Sequence, residues 1–235
     1  MENEKIGNLV SKDYRKADVF KQFGLDFCCG GGTSVAQACI DKGIDKDELI
    51  GALRKVESDQ PGPTVNYDNF TPGKLCDYIV EKHHSYVTDN LALITEYAIK
   101  VAKVHGKSDP ELETILSLWE ALSEELSMHS HKEEFILFPY IKELEQKDAK
   151  IENLAPPPFG SITHPVSMME FEHDQAGEIL KTIRSLSNDF TPPEHACNTY
   201  KVFYSKLSEF EEDLHFHIHL ENNILFPKAI KLEKK

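Results

Sequence analysis

The chain has no apolar run near the ~18 residues that a membrane helix needs, and its opening stretch, MENEKIGNLVSKDYRK, lacks the apolar core of a signal peptide. A cytoplasmic protein with no membrane partner is expected. Positive charge is not in excess either: 26 Lys and Arg face 40 Asp and Glu, a net of −14 with histidine neutral, too acidic for a nucleic-acid binder. Cysteine is sparse and odd in number (Cys28, Cys29, Cys39, Cys76, Cys197), which excludes a disulfide framework and predicts reduced thiols. No strand pattern or internal repeat is present, and the glycine run after Cys29 is not followed by the Gly-Lys-Ser/Thr of a phosphate loop. What remains is a chain of 235 residues, 40% hydrophobic, long enough for one or two packed domains. Its one compositional excess is histidine, at 11 positions.

Apolar spacing predicts an all-α protein. Residues 1–57 carry short helical patterns, and 58–73 (SDQPGPTVNYDNFTPG) read as a linker. Residues 74–235 follow as four long amphipathic helices near 74–104, 110–146, 165–188 and 193–232, an antiparallel four-helix bundle.

A histidine faces the core of such a bundle if it continues an apolar row spaced three and four apart. On the last helix the row is Leu207, Phe210, Leu214, His217, Glu221, Ile224; on the second it is Ile115, Trp119, Leu122, Leu126, His129, Glu133, Ile136, Tyr140. The third gives Val166, Met169, His173, Ala176, Leu180. On the first, His83 follows Leu75 and Ile79 while His84 continues Cys76 and Val80, and periodicity does not choose between them. His131, His215 and His219 lie off the rows and are expected on the flank or surface. His105 has a local role at a helix end, and His164 and His195 fall in loops. Two buried carboxylates among inward histidines are too costly to leave unmatched, so a metal site is expected. His and Glu at i and i+4 reach one cation from one helix face, and a nitrogen and oxygen set without thiolate suits iron, manganese or zinc, with carboxylate bridges favouring a pair of iron or manganese ions. The levels of the first two helices agree; those of the third and fourth do not, so their connection must climb or the boundaries shift.

The runs HSHKEEFILFP, MEFEHDQAGE and HIHLENNILFP, with DFCCGGG near the start, resemble the repair-of-iron-centres (RIC) di-iron proteins and their hemerythrin-like domain, over nearly the whole chain. Oxygen-carrying hemerythrins have a second histidine four residues beyond the one on helix three; here that position is Gly177. The resemblance implies a ligand set of His83, His129, Glu133, His173, His217 and Glu221, with His83 selected by the IVEKH pattern and His84 in reserve. It also implies two Fe ions per chain, a non-haem centre that is oxo-bridged when oxidised. It further implies a cytoplasmic, often dimeric protein that repairs iron–sulfur clusters after nitrosative or oxidative stress, by iron donation or by handling nitric oxide. Damaged iron–sulfur proteins are then the partners, with NO or O2 as small ligands. The competing readings are a di-iron sensor or reservoir for these gases and an NO reductase at the same site. Cys28 and Cys29 precede three glycines and a helix capped by Thr33 or Ser34, where backbone amides would favour a thiolate and lower its pKa. A redox or partner-docking role for this pair is expected.

Overall fold

The computed structural model describes residues 1–58, 65–150 (147–150 as backbone only) and 157–234. Part of the expected linker and part of the break between the second and third long helices therefore lie outside the described residues. Among the described residues helix dominates, and the only β feature is an isolated bridge between Lys5 and Ser34.

The N-terminal unit consists of α1 (Ile6–Lys12), α2 (Lys16–Gln22), a 3-10 turn at Gly30–Gly32, α3 (Val35–Lys42) and α4 (Lys46–Ser58). Ser34 caps α3 by accepting from the Gln37 amide, and Gly43 ends it at φ 64°, a left-handed position suited to glycine. The bundle's first helix begins with Thr71 as cap and Pro72 at its first turn, then runs through α5 (Pro72–Ile79), a π-turn at Val80–His84 and α6 (Ser85–His105). The second joins α7 (Glu111–Lys132) to α8 (Phe138–Lys150) through a π-turn at Glu133–Leu137. The third is α9 (Thr163–Leu186). The fourth joins α10 (Asn198–Leu220) to α11 (Phe226–Glu233) through a π-turn at Glu221–Leu225.

The boundaries shift at both ends of the break: α9 ends at Leu186 and α10 starts five residues later than expected, and the connection between them contains three consecutive left-handed residues, Asn188, Asp189 and Phe190 (φ 49°, 55° and 54°). Asn and Asp tolerate that conformation; Phe190 is held in it by burial beneath the Arg184 guanidinium, 4.7 Å above its ring.

Among the described residues two apolar clusters form the core. One joins the N-terminal unit (Ile6, Phe20, Leu49, Leu53) to the half of the bundle containing Val87, Trp119, Leu180 and Phe210. The other packs Ile79, Leu137, Phe138, Met169, Ile224 and Phe226. Between Ile79 and Val87, Leu126 and Leu137, Met169 and Ala176, and Leu214 and Ile224, the inward row of every long helix turns polar. A layer of buried histidine and glutamate thus separates the clusters.

Candidate metal centre

Three of the four long helices carry a π-turn, and each lies at this polar layer. A π-turn adds one residue to a turn, so it shifts the inward row by one position. On the first helix the row therefore passes from Leu75 and Ile79 to His84 and Val87, and His84 rather than His83 turns toward the other ligand-type residues. The family resemblance selects His83 and keeps His84 in reserve; the geometry favours the reserve candidate. The ring of His83 is also buried, but its Nδ1 lies 3.0 Å from Oδ1 of Asp213. The same shift overturns the extension of the second row: beyond Glu133 the buried residues are Leu137, Phe138, Ile141 and Leu144, while Ile136 is 50% exposed and Tyr140 only partly buried.

Six side chains meet in the layer, each at most 3% exposed: His84, His129, Glu133, His173, His217 and Glu221. They form two four-donor groups that share both carboxylates. His84, His217, Glu133 and Glu221 make one, and His129, His173, Glu133 and Glu221 the other, with the donor atoms of each within 4.8 Å of one another. Nε2 of His84 and of His129 each lie 3.3 Å from Oε2 of Glu133; Nε2 of His173 is 3.2 Å from Oε2 of Glu221, and Nε2 of His217 is 3.1 Å from Oε1. Both Glu133 oxygens, Oε2 of Glu221 and Nε2 of His84 are buried without a hydrogen-bond partner.

The outer partners point the same way. His84 Nδ1–H donates to Oε1 of Glu134, His129 Nδ1–H to Oε2 of Glu172, and His173 Nδ1–H to Oδ1 of Asn222, each at 2.8 Å. Such bonds leave Nε2 with a free lone pair aimed inward, the tautomer that a metal ligand requires. Nε2 of His129 and Nε2 of His173 then face one another at 3.0 Å. Two nitrogen lone pairs at that distance need a proton or a cation between them. Metal–nitrogen bonds of ~2.1 Å at right angles put neighbouring nitrogens ~3 Å apart. Charge tells the same story without a metal. Burial alone would keep His129 neutral, yet Glu133 and Glu172 hold its pKa up at about 10. Burial would raise Glu133 and Glu221, and the Glu221 charge would raise Glu133 further, yet the surrounding histidines hold both below the ordinary carboxylate value. Protons are doing what a pair of cations could do, and the donor set fits two such ions.

Glu134, Glu172 and Asn222 escaped sequence reasoning because they lie off the inward rows. The usable signal was adjacency: each directly follows or precedes a ligand-type residue on a neighbouring helix. His219, expected at the flank, is 1% exposed because the N-terminal unit covers it. Its ring centroid lies 6.0 Å from that of Phe27 and 6.2 Å from that of Tyr14. His131 is exposed, as its position off the row implied.

The Cys28–Cys29 turn departs from expectation in its electrostatics. Oδ1 of Asp26 already accepts from the amides of Cys28 (2.9 Å) and Cys29 (3.1 Å), so the backbone donors serve a carboxylate rather than a thiolate. The buried Cys28 thiol donates to the same oxygen at 3.1 Å, and its contact with Cys29, burial and the Asp26 charge push its pKa up, not down. The two sulfurs are 3.9 Å apart. Beside them a cleft of about 380 Å³ opens between the N-terminal unit and the bundle, lined by Phe27, Cys29, Lys42, Gly177, Lys181 and Arg184 among others.

Comparison with known proteins agrees with this architecture. Residues 77–229 match the Hemerythrin HHE cation binding domain, and residues 2–57 match ScdA_N, a domain of unknown function (DUF542). The chain is 34% identical over 228 residues to the iron-sulfur cluster repair protein YtfE of Escherichia coli O81 (strain ED1a), covering 97% of each chain. It is 33% identical over 231 residues to the YtfE of Yersinia pestis (strain Pestoides F), covering 98% of each.

Proposed function

The chain belongs to the Hemerythrin HHE cation binding domain family and aligns over nearly its whole length with iron-sulfur cluster repair proteins, and from that premise we propose that it repairs damaged iron–sulfur clusters through a non-haem di-iron centre. The observation that carries the reading is the pair of four-donor groups sharing Glu133 and Glu221. His84 and His217 would hold one ion and His129 and His173 the other, with Glu133 and Glu221 available to both. Bound iron supplies one-electron chemistry and open positions for small ligands such as NO or O2. The chain's own residues hold and orient: Nδ1 anchors fix the imidazoles of His84, His129 and His173, and the two apolar clusters keep bulk water from the layer. Four nitrogens and two shared carboxylates are few donors for two ions, which would suit release of iron, as cargo, to a damaged cluster. This makes the protein an iron donor rather than an enzyme. Its clients are damaged cluster proteins of the cytoplasm.

The Cys28–Cys29 turn fits a docking or redox role beside this centre. The Asn223 side-chain amide donates to the Cys28 carbonyl at 2.9 Å, and Asn223 belongs to the π-turn that carries Glu221 and Asn222. The cleft beside the pair mixes charge, Lys21, Lys42, Lys181 and Arg184 against Asp26, Asp174, Glu178 and Glu211, so the cysteine turn rather than a net charge is what it offers a client.

The test is iron content, visible spectrum and reactivation of a cluster enzyme inactivated by nitric oxide. Two irons per chain are expected, lost in a Glu133→Leu/Glu221→Leu variant that still folds. His84→Ala should lose iron where His83→Ala keeps it; the reverse outcome would restore His83 to the ligand set. A fully iron-loaded protein that reactivates nothing refutes the repair reading, and N2O beyond one equivalent per site under an electron donor would make it a reductase.

A further inference from the structure

A second group of ligand-type side chains lies at the opposite end of the bundle, outside the centre just described. From His84 to His105 is 21 residues of helix, or about 30 Å at ~1.5 Å per residue. At that end the α6–α7 connection meets the α9–α10 connection. His105 closes α6, and its carbonyl accepts from the amides of Ser108 and Asp109, both at 2.9 Å, which turns Asp109 back toward the bundle. The Asp109 carboxylate is only 7% exposed, and it accepts from Nε2 of His195 at 2.9 and 3.1 Å. His105 offers Nε2 on the same side: one donor atom each from His105, Asp109 and His195 lie within 4.8 Å of one another. A fourth donor stands beside them, Sγ of Cys197, 3.3 Å from Nε2 of His105. Cys197 is the N-cap of α10, a position that Ser, Thr, Asp or Asn usually fills, and its side chain makes no capping bond.

We propose that His105, Asp109, His195 and Cys197 form a separate site for one divalent metal of the zinc class. Two imidazoles, a carboxylate and a thiolate are a donor set that zinc takes in tetrahedral geometry, and the thiolate distinguishes it from the all-nitrogen-and-oxygen set at the other end. Tetrahedral bonds of ~2.0–2.3 Å hold neighbouring donors roughly 3.3–3.8 Å apart, which the His105–Cys197 contact already meets. The exposed Cys197 and His195 have the rotamer freedom to close the remainder. Two ligands come from each connection, so the ion clips the α6–α7 hairpin to the start of α10. The role is structural, and it does not depend on the repair reading.

The test uses the full iron-loaded protein, so that the di-iron ligands are occupied, and titrates it with Zn2+ against a chromophoric chelator and separately with Co2+. One equivalent should bind, with a thiolate-to-cobalt charge-transfer band that disappears in Cys197→Ser. His195→Ala should weaken binding by more than the ~10–100-fold typical of losing an outer partner, with iron content and visible spectrum unchanged. Thermal unfolding should shift upward with Zn2+ in the wild type and not in His195→Ala. Absence of a saturable equivalent overturns the site, as does binding that survives His195→Ala but is lost in Cys28→Ser/Cys29→Ser. A cobalt complex without the thiolate band removes Cys197 from the ligand set.

Discussion

Acidification should loosen the seating of the N-terminal unit on the bundle through one residue, His219. Burial beneath Phe27 and Tyr14 depresses its pKa to about 4, against 6.5 for a free imidazole, with the Phe27 backbone opposing the shift. Between those values the unfolded chain binds a proton that the folded chain refuses, so stability falls as pH falls. The contribution is fully present above pH 6.5, declines by about 1.4 kcal/mol per pH unit below it, and levels off near pH 4. The complete window of about 2.5 units is therefore worth on the order of 3 kcal/mol, and the span from pH 7.5 to 5 about 2 kcal/mol. Urea unfolding of the wild type and of His219→Leu at both pH values isolates the effect, because losses from other titrating groups, the metal ligands included, are common to both. The wild type should lose about 2 kcal/mol more than the variant on acidification. Equal losses in the two proteins would refute the assignment, since they would mean that His219 takes up its proton without leaving the interface.

Other perturbations follow from the same packing. Glu172→Ala should weaken iron binding by ~10–100-fold with helicity unchanged, measured by chelator competition, because it frees Nδ1 of His129 without removing a ligand. Gly31→Ala puts a Cβ 2.4 Å from Oδ1 and 3.0 Å from Cγ of Asn223, and should cost ~1–3 kcal/mol in denaturation and speed proteolysis of the N-terminal unit. Arg184→Leu leaves Glu211, 2% exposed, without the guanidinium that holds it through two Nε contacts at 2.9 and 3.1 Å; a loss of ~3–5 kcal/mol is expected by chemical unfolding.

The all-α class and the inward rows were legible because burial in a helix repeats every three or four residues, and the rows of α7, α9 and α10 reached the metal layer intact. They failed where the helix itself changes pitch. Period counting assumes 3.6 residues per turn, and a π-turn leaves no mark in a single sequence. Hence His83 and His84 could not be separated, and Ile136 was placed inside although the extra residue at Glu133–Leu137 turns it to solvent. His219 was misplaced for another reason. Its helix face points away from the bundle core, and only a second unit, contacting it from more than 190 residues away, buries it. At the Cys28 turn the glycine run implies free amides, but Asp26, two residues earlier, takes them.

The π-turns also explain how the N-terminal unit and the centre belong to one device. A regular helix after Glu221 would carry Asn222 and Asn223 past their neighbours; the wider turn instead holds Oδ1 of Asn222 at 2.8 Å from His173 and the Asn223 amide at 2.9 Å from the Cys28 carbonyl. Gly7 and Gly31 are glycines at the contact because any Cβ there would strike Asn223 at 2.1 or 2.4 Å. One turn of backbone thus sets a carboxylate shared by both donor groups, the Nδ1 anchor of His173 and the seat of the cysteine turn. A π-turn has fewer good hydrogen bonds than the α-helix it interrupts, so it persists where surrounding contacts over-determine it. Removing either contact should relax the turn toward regular helix. It follows that Asn223→Ala, which touches no metal ligand, should alter the iron spectrum and the accessibility of Cys29 to thiol reagents together. A change in one without the other would mean that the turn does not couple them.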